Sequence, residues 1–188
     1  MNDCIFQDIF INSEINIYTG CEKIKEIPHQ KNNIMKINID KYNAISRIEK
    51  GVLPIGLKNL NIAGNNTIAN IEKGVLPESL KILKIYGYNR IKTLKNLPIN
   101  LKIIDIKGGI NINEIKKGTL PERLETLKIY GINRINEIKK GTLPESLEVL
   151  EIDGDNKINE IKEGILPGGL KVLKINGRNK INEIKKGV

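Results

Sequence analysis

Hydrophobic residues recur along this chain in a fixed order about every 23 positions. In one unit Leu80, Leu83 and Ile85 stand at L-x-x-L-x-I, whose last three residues alternate as in a short strand with one buried face. Ile91 and Leu94 then form a second apolar pair. Each unit therefore predicts one strand followed by a return arm that also points apolar side chains inward.

Prolines and a repeated heptapeptide mark the same period. The seven prolines follow one another at intervals of 26, 23, 21, 23, 23 and 23 residues, at positions 28, 54, 77, 98, 121, 144 and 167. The heptapeptide INEIKKG occupies residues 112–118, 135–141 and 181–187, and INEIKEG occupies 158–164. A unit of this kind buries its apolar face only against its neighbours, so the period predicts a stacked solenoid.

Polar residues of the repeat indicate where the backbone turns. Glycines follow the strand, where a turn favours a positive φ, at Gly87, Gly131, Gly154 and Gly177. Two positions later stand asparagines, whose side chains are expected to satisfy backbone groups of the turn: Asn66, Asn89, Asn133, Asn156 and Asn179. Ile110 takes this place in the repeat 97–119. A unit of this length has no room for a return helix, so we expect an extended or 3₁₀ return arm.

A family resemblance is carried by residues 143–173, LPESLEVLEIDGDNKINEIKEGILPGGLKVL. This run resembles the FNIP repeat, a leucine-rich-repeat relative found in amoebae and their giant viruses, although the aromatic before Asn and the Pro before Ile are missing. The segment LPESLKILKIYGYNRIKTLKNLP resembles the L-P-type leucine-rich repeats of bacterial effectors. Both resemblances imply a curved, leucine-rich-repeat-like parallel β solenoid that binds other macromolecules. Only 26 residues precede the first repeat, too few for the F-box domain that viral relatives often carry.

The predicted organisation is a single domain with two parts. Residues 1–26 are expected to cap the first rung, with Ile15 and Ile17 in the buried strand columns. Residues 27–188 are expected to form a right-handed solenoid of seven rungs, about 35 Å long. Because no comparable apolar cap follows the last repeat, we also predict end-to-end self-association through Leu170, Leu173, Ile175, Ile181 and Ile184.

Net charge and cysteine content limit the possible partners and the cellular compartment. The formal charge of +9 raises nucleic acid, an anionic membrane or an acidic protein as partners. No apolar run approaches the roughly 18 residues of a membrane span, and the start of the chain has no basic segment typical of a secretory signal. Cys4 and Cys21 are too few for a disulfide framework. These features predict a cytoplasmic protein without membrane contact, in the host cytoplasm if the source is viral.

Catalytic and metal-binding patterns are absent from the sequence. No nucleophile elbow, phosphate loop or metal-ligand spacing occurs, and His29 is the only histidine. The stretch EIDGDNKINE is rich in carboxylates but lacks the spacing of an EF-hand, and its Gly and Asn belong to the repeat. The sequence therefore predicts neither an enzyme nor a bound cofactor or metal.

The candidate binding site lies in the variable columns beside the strands, which leucine-rich-repeat solenoids present on one concave surface. Tyr86 and Tyr130 flank Lys107 there, and tyrosine offers a large contact area at low entropic cost. The following rung is acidic. Basic and acidic rungs therefore alternate along this surface, which favours a structured protein partner over a uniform polyanion. The predicted partner-binding residues are Lys84, Tyr86, Tyr88, Lys107, Lys128, Tyr130, Glu151 and Asp153.

Two alternatives remain open at this point. The return arms carry columns of lysine, including Lys116, Lys139 and Lys162, that suit nucleic acid or another polyanion. A parallel column of glutamates, including Glu114 and Glu137, dilutes this charge, and no aromatic residue interleaves with the lysines for base stacking. The second alternative is a structural element that assembles with copies of itself.

Overall fold

The fold is a stack of short β-strands. The computed structural model describes residues 10, 11, 13–17, 23, 24, 34–39, 44–178, 181, 183 and 184, and no helix occurs among them. The strands are β1 (Phe10–Ile11), β2 (Glu14–Ile17), β3 (Lys23–Ile24), β4 (Lys36–Ile39), β5 (Arg47–Ile48), β6 (Asn59–Ile62), β7 (Ile82–Ile85), β8 (Ile103–Gly108), β9 (Thr126–Gly131), β10 (Val149–Asp153), β11 (Glu160–Ile161), β12 (Val172–Ile175) and β13 (Glu183–Ile184).

One sheet runs the length of the described molecule. Its order is β1-β2-β4-β6-β7-β8-β9-β10-β12, and every pair is parallel except β1 with β2. Each of the seven proline-marked repeats contributes one strand, and the chain makes about six turns between β4 and β12. The predicted parallel β solenoid is confirmed. In the predicted cap, β2 continues the same register, with Ile15 opposite Ile37 and Ile17 opposite Ile39.

The core is formed by the two apolar stripes that the sequence predicts. On the strands the inward positions are fully buried, as at Leu83 and Ile85, while Ile82 and Lys84 between them remain partly exposed. On the return arms Ile91 and Ile135 are also fully buried. Stacked rungs thereby place β-branched and leucine side chains in continuous columns, which buries the apolar face that one repeat could not bury alone.

The return arms are extended and reverse direction through two β-turns. The first turn falls within the repeated heptapeptide: the amide of Thr142 donates to the carbonyl of Lys139 at 3.1 Å, and Gly141 supplies the positive φ of 73°. The second follows each Leu-Pro pair, where for example the amide of Leu147 donates to the carbonyl of Pro144 at 3.0 Å. Two small parallel sheets, β3–β5 and β11–β13, join neighbouring arms. Of the two expected conformations the arm takes the extended one in the described residues.

Close stacking requires the glycines after the strands, and of the four predicted to have a positive φ all but Gly131 have one. Gly87 has a φ of 113°, and a Cβ added there would lie 1.7 Å from the carbonyl oxygen of Gly64 in the preceding rung. The same approach recurs at Gly154, whose added Cβ would lie 2.3 Å from the oxygen of Gly131. Rungs can therefore stack at this corner only when no side chain separates them.

The buried asparagines form a ladder between rungs. Asn89, Asn133 and Asn156 donate through Nδ2 to the last carbonyl before the next rung's glycine, at 2.8, 2.5 and 3.1 Å. All three are completely buried. The prediction that asparagines satisfy backbone groups is thus correct, and the group satisfied belongs to the adjacent rung. Ile110, also fully buried, occupies the predicted place in the irregular repeat, and no asparagine stands there to donate to the carbonyl of Tyr130.

The last described rung is less buried than those before it. Leu170, Leu173, Ile175 and Ile181 are only partly covered, and the side chain of Ile184 lies outside the described residues. Self-association through this group stays a prediction.

Candidate binding surface on the sheet

The outward side of the long sheet presents three columns of side chains. Strand pairing places residues of equal repeat position opposite one another, about 4.8 Å apart. The apolar column consists of Ile82, Ile103, Thr126, Val149 and Val172. The charged column consists of Lys84, Asp105, Lys128, Glu151 and Lys174, and the tyrosine column consists of Tyr86, Lys107, Tyr130 and Asp153. Together the three columns form the surface that we call the sheet surface.

Charges alternate in sign along the charged column, and around Glu151 they form ion pairs across rungs. The Nζ of Lys128 lies 3.1 Å from Oε1 of Glu151, and Lys174 approaches the same oxygen from the other side at 3.5 Å. Glu151 is buried, with 8% of its surface exposed. A buried carboxylate needs such partners because its desolvation would otherwise be unfavourable. The part of the column around Glu151 is therefore an internally satisfied network as well as a surface.

Two tyrosines connect the tyrosine column to these carboxylates. Tyr86 donates its hydroxyl to Oδ2 of Asp105 at 2.5 Å, and Tyr130 donates to Oε2 of Glu151. Burial, followed by these hydrogen bonds to carboxylates, raises the pKa of both phenols well above the usual range. The hydrogen bond from Tyr130, with help from Lys128, lowers the pKa of Glu151. Both rings are consequently held in fixed orientations by neutral hydroxyl donors.

Cations and exposed apolar groups border this network. The Nζ of Lys107 lies 5.0 Å from the centroid of the Tyr130 ring, within the range of a cation–π contact. Lys84 forms no ion pair with any residue that the structure describes. At the edge of the surface, Tyr88 and Ile132 are 70% and 54% exposed. These groups remain available for a partner.

The eight predicted site residues lie on one surface but differ in their contacts and exposure. Seven of them belong to the charged and tyrosine columns, and Tyr88 lies beyond the turn at the edge. The structure brings Lys128, Tyr130 and Glu151 into direct contact with one another. Tyr88 and Lys107 are exposed, Lys107 lies over the Tyr130 ring, and Lys84 is half-buried. The prediction that Tyr86 and Tyr130 flank Lys107 agrees with the strand register, since Lys107 pairs with Tyr130 and Tyr86 follows the Ile85–Ile106 pair.

Sequence reasoning missed the apolar column. Its members stand one position before the buried strand leucine or isoleucine, and four of the five are isoleucine or valine. β-Branched residues at an outward strand position were the available signal, because such residues fit a half-buried pleated surface. The exposed Ile132, which lies outside the strand, was missed as well. The sheet surface is thus more apolar than the charged residues alone suggested.

One column of lysines on the return arms is paired with glutamates of the same rung. Lys116, Lys139 and Lys162 each lie 3.0–3.2 Å from the glutamate two residues earlier in the chain, namely Glu114, Glu137 and Glu160. These pairs are exposed and are expected to be weak. The glutamates nevertheless reduce the positive potential of the arm.

Clusters of metal-ligating side chains do not appear in the described part of the chain. No group of three His, Cys, Asp or Glu side chains there could hold a metal ion. Cys4, Cys21 and His29 lie outside the described residues. No helix long and apolar enough to cross a bilayer is found among the residues that the structure describes.

Comparison with known sequences accounts for the repeat. A model of the FNIP repeat matches residues 42–87, 110–155 and 133–178, which together make up more than half of the chain. The chain belongs to the FNIP-repeat family. Each match spans about two of the rungs described above, as residues 42–87 contain both β6 and β7. Among curated proteins no sequence matches this chain.

Solved structures show the same fold in leucine-rich-repeat proteins. CroV588, a circular leucine-rich-repeat protein of a giant virus, is 24% identical with a TM-score of 0.64 over 84% of this chain. YopM from Yersinia enterocolitica is 22% identical with a TM-score of 0.60 over 91% of the chain, and TLR13 in a complex with ssRNA13 is 17% identical with a TM-score of 0.62 over 85%. The FNIP chain spans only 26%, 38% and 24% of those three chains, respectively.

Proposed function

We propose that this FNIP-repeat protein is an interaction module that binds a folded protein partner through the sheet surface. The observation that carries the proposal is the half-exposed apolar column, Ile82 to Val172, held between the charged column and the Lys102–Glu125 and Lys171–Glu148 pairs at the strand starts. An apolar stripe with a polar border has the composition of a protein–protein interface, whose centre is depleted in charge.

Preorganisation of the surface supports this role. Tyr86 and Tyr130 are already fixed by hydrogen bonds to Asp105 and Glu151, so their immobilisation on binding costs little further entropy. Lys84, Lys107 and Tyr88 supply adaptable contacts around them. The leucine-rich-repeat fold, commonly a scaffold for protein interaction, is consistent with a non-catalytic binding role.

Nucleic acid is the competing partner, because the chain is basic and a structural neighbour, TLR13, is seen in a complex with ssRNA13. Two features weigh against it as the main ligand. The arm lysines 116, 139 and 162 have glutamate partners, and the charged column of the sheet surface alternates in sign. Neither side offers the uniform positive track that a phosphate backbone favours.

Affinity capture with matched variants tests the proposal. The sheet variant carries Ile82→Thr, Ile103→Thr and Tyr88→Ser, and is expected to fold because Thr126 already occupies the apolar column. The arm variant carries Asn136→Ser, Lys139→Gln and Lys140→Gln, all at exposed positions. Each protein is immobilised and exposed to amoebal lysate with and without nuclease.

The proposal expects a discrete protein that survives nuclease, is retained by the arm variant and binds the sheet variant at least about tenfold more weakly, as for loss of interface anchors. Titration of that purified protein against the wild type, the sheet variant and the arm variant measures the ratio of their dissociation constants. Recovery of nuclease-sensitive material that only the arm variant loses would transfer the function to the lysine columns.

A further inference from the structure

A cavity lies on the return-arm side where one repeat is shorter than the others. Only 21 residues separate Pro77 from Pro98, and the Lys-Lys-Gly-Thr turn found at residues 116–119 has no counterpart before Pro98. Asn96, with a φ of 59°, reverses the chain there instead. The full-length arm of the next rung therefore faces a shortened one. A cavity of about 360 Å³ opens between residues 92–95 and 111–119, within the size range of small-molecule sites.

Positive charge in this cavity is less compensated than elsewhere on the arms. Three lysines line it, Lys92, Lys95 and Lys116, against one carboxylate, Glu114. In the arms at residues 112–118, 135–141 and 158–164 a glutamate two residues earlier pairs with the lysine, as Glu114 does with Lys116 at 3.0 Å. The short arm has Thr93 at that position. Neither Lys92 nor Lys95 pairs with any carboxylate that the structure describes.

The remaining polar lining consists of groups that donate hydrogen bonds. The hydroxyl of Thr93 and the side-chain amide of Asn113 border the same space as the lysines. Ammonium, hydroxyl and amide donors around one cavity suit an anion with several oxygens, because charge-assisted hydrogen bonds to phosphate are among the stronger ones in proteins.

We propose that this cavity binds a small phosphate-bearing molecule. A small anion fits better than an extended polyanion, because the arms on the C-terminal side return to glutamate-paired lysines at Lys139 and Lys162. Among the residues that the structure describes, two unpaired lysines thus lie on the shortened arm, whereas the next two arms have one each, Lys117 and Lys140. The site lies on the arms and is independent of the protein-binding role proposed for the sheet surface.

Calorimetric titration of the full chain with inorganic pyrophosphate tests the site, at about 0.05 M salt where screening is weak. One binding site per chain is expected. Lys92→Gln with Lys95→Gln should weaken binding by about tenfold or more, since each removes a hydrogen bond to a charged group. The matched control, Lys140→Gln with Lys157→Gln, removes the same charge from exposed positions outside the cavity and should change the affinity less than about twofold.

A second variant tests whether the missing glutamate leaves Lys95 free to bind the anion. Thr93→Glu restores the glutamate of the regular arms and gives Lys95 a partner, so it should also weaken pyrophosphate binding while all lysines remain. Absence of binding at millimolar pyrophosphate would overturn the proposal. An equal loss of pyrophosphate affinity in the two double variants would also overturn it. So would a short oligothymidylate that binds the chain more tightly than pyrophosphate and loses the same affinity in both double variants. Circular dichroism of each variant establishes that the fold is kept.

Discussion

The two long sides of this solenoid use charged residues differently. On the sheet surface the ion pairs join neighbouring rungs, as between Lys128 and Glu151. On the return arms they join residues two apart in one rung, as between Glu137 and Lys139. Pairs of the first kind connect stacked units, while pairs of the second kind leave the stacking unaffected. The same substitution should therefore have unequal consequences on the two sides.

Glycine substitution should show the largest difference. Gly87→Ala places a Cβ 1.7 Å from a backbone oxygen and strains a φ of 113°, so we expect a loss of about 3 kcal/mol or more in the free energy of unfolding. Gly118→Ala, on the arm, strains a φ of 75° but meets no atom within 4 Å, and should cost about 1 kcal/mol. Urea denaturation followed by circular dichroism measures both. Equal losses would show that rungs do not stack closely at the sheet corner.

Asparagine substitution should give the next largest contrast. Asn133→Ala removes a fully buried side chain whose Nδ2 donates to the carbonyl of Asp153, and should cost about 2 kcal/mol. Asn136→Ala, three residues later on the exposed side of the arm, should cost less than about 0.5 kcal/mol. The comparison is made by urea denaturation at one pH. If Asn133→Ala left the free energy of unfolding unchanged, the asparagine ladder between rungs would not contribute to stability.

Protonation of the sheet network should give a smaller effect that depends on pH. The folded-state pKa of Glu151 is lowered, chiefly by the hydrogen bond from Tyr130, so its contribution is present above the unfolded value of about 4.3 and is lost as pH falls through the folded pKa. Glu151→Gln should lower the free energy of unfolding at pH 7 by about 1–2 kcal/mol and flatten its decline below about pH 4.3.

The control for this experiment is Glu137→Gln, which removes an exposed carboxylate of the arm and leaves the Glu151 network in place. Its free energy of unfolding at pH 7 should change by less than about 0.5 kcal/mol. Denaturation curves between about pH 3 and 7 provide the measurement. If Glu151→Gln kept the wild-type decline at low pH, the buried carboxylate would not be coupled to stacking.

Much of the architecture was predictable because it depends on spacing. The alternation at Leu83 and Ile85, and the intervals between prolines, were sufficient to place each strand in register with the next. They also placed Ile110 in the asparagine column. Spacing alone did not show that Glu151 is buried or that Tyr130 bonds to it, because these contacts depend on side-chain orientation across rungs. Nor did the 21-residue interval by itself indicate a cavity.

The sequence by itself determined the repeat, the strand columns and the buried stripes, since residues one period apart must meet whenever the units stack. Only the tertiary structure decided which charges are shared between rungs and which stay within an arm. It also showed that Gly87 faces a carbonyl oxygen and that a shortened arm leaves Lys92 and Lys95 beside an open space. The physical reason is that stacking at about 4.8 Å makes neighbours of residues more than twenty positions apart, and local geometry then selects which of them touch.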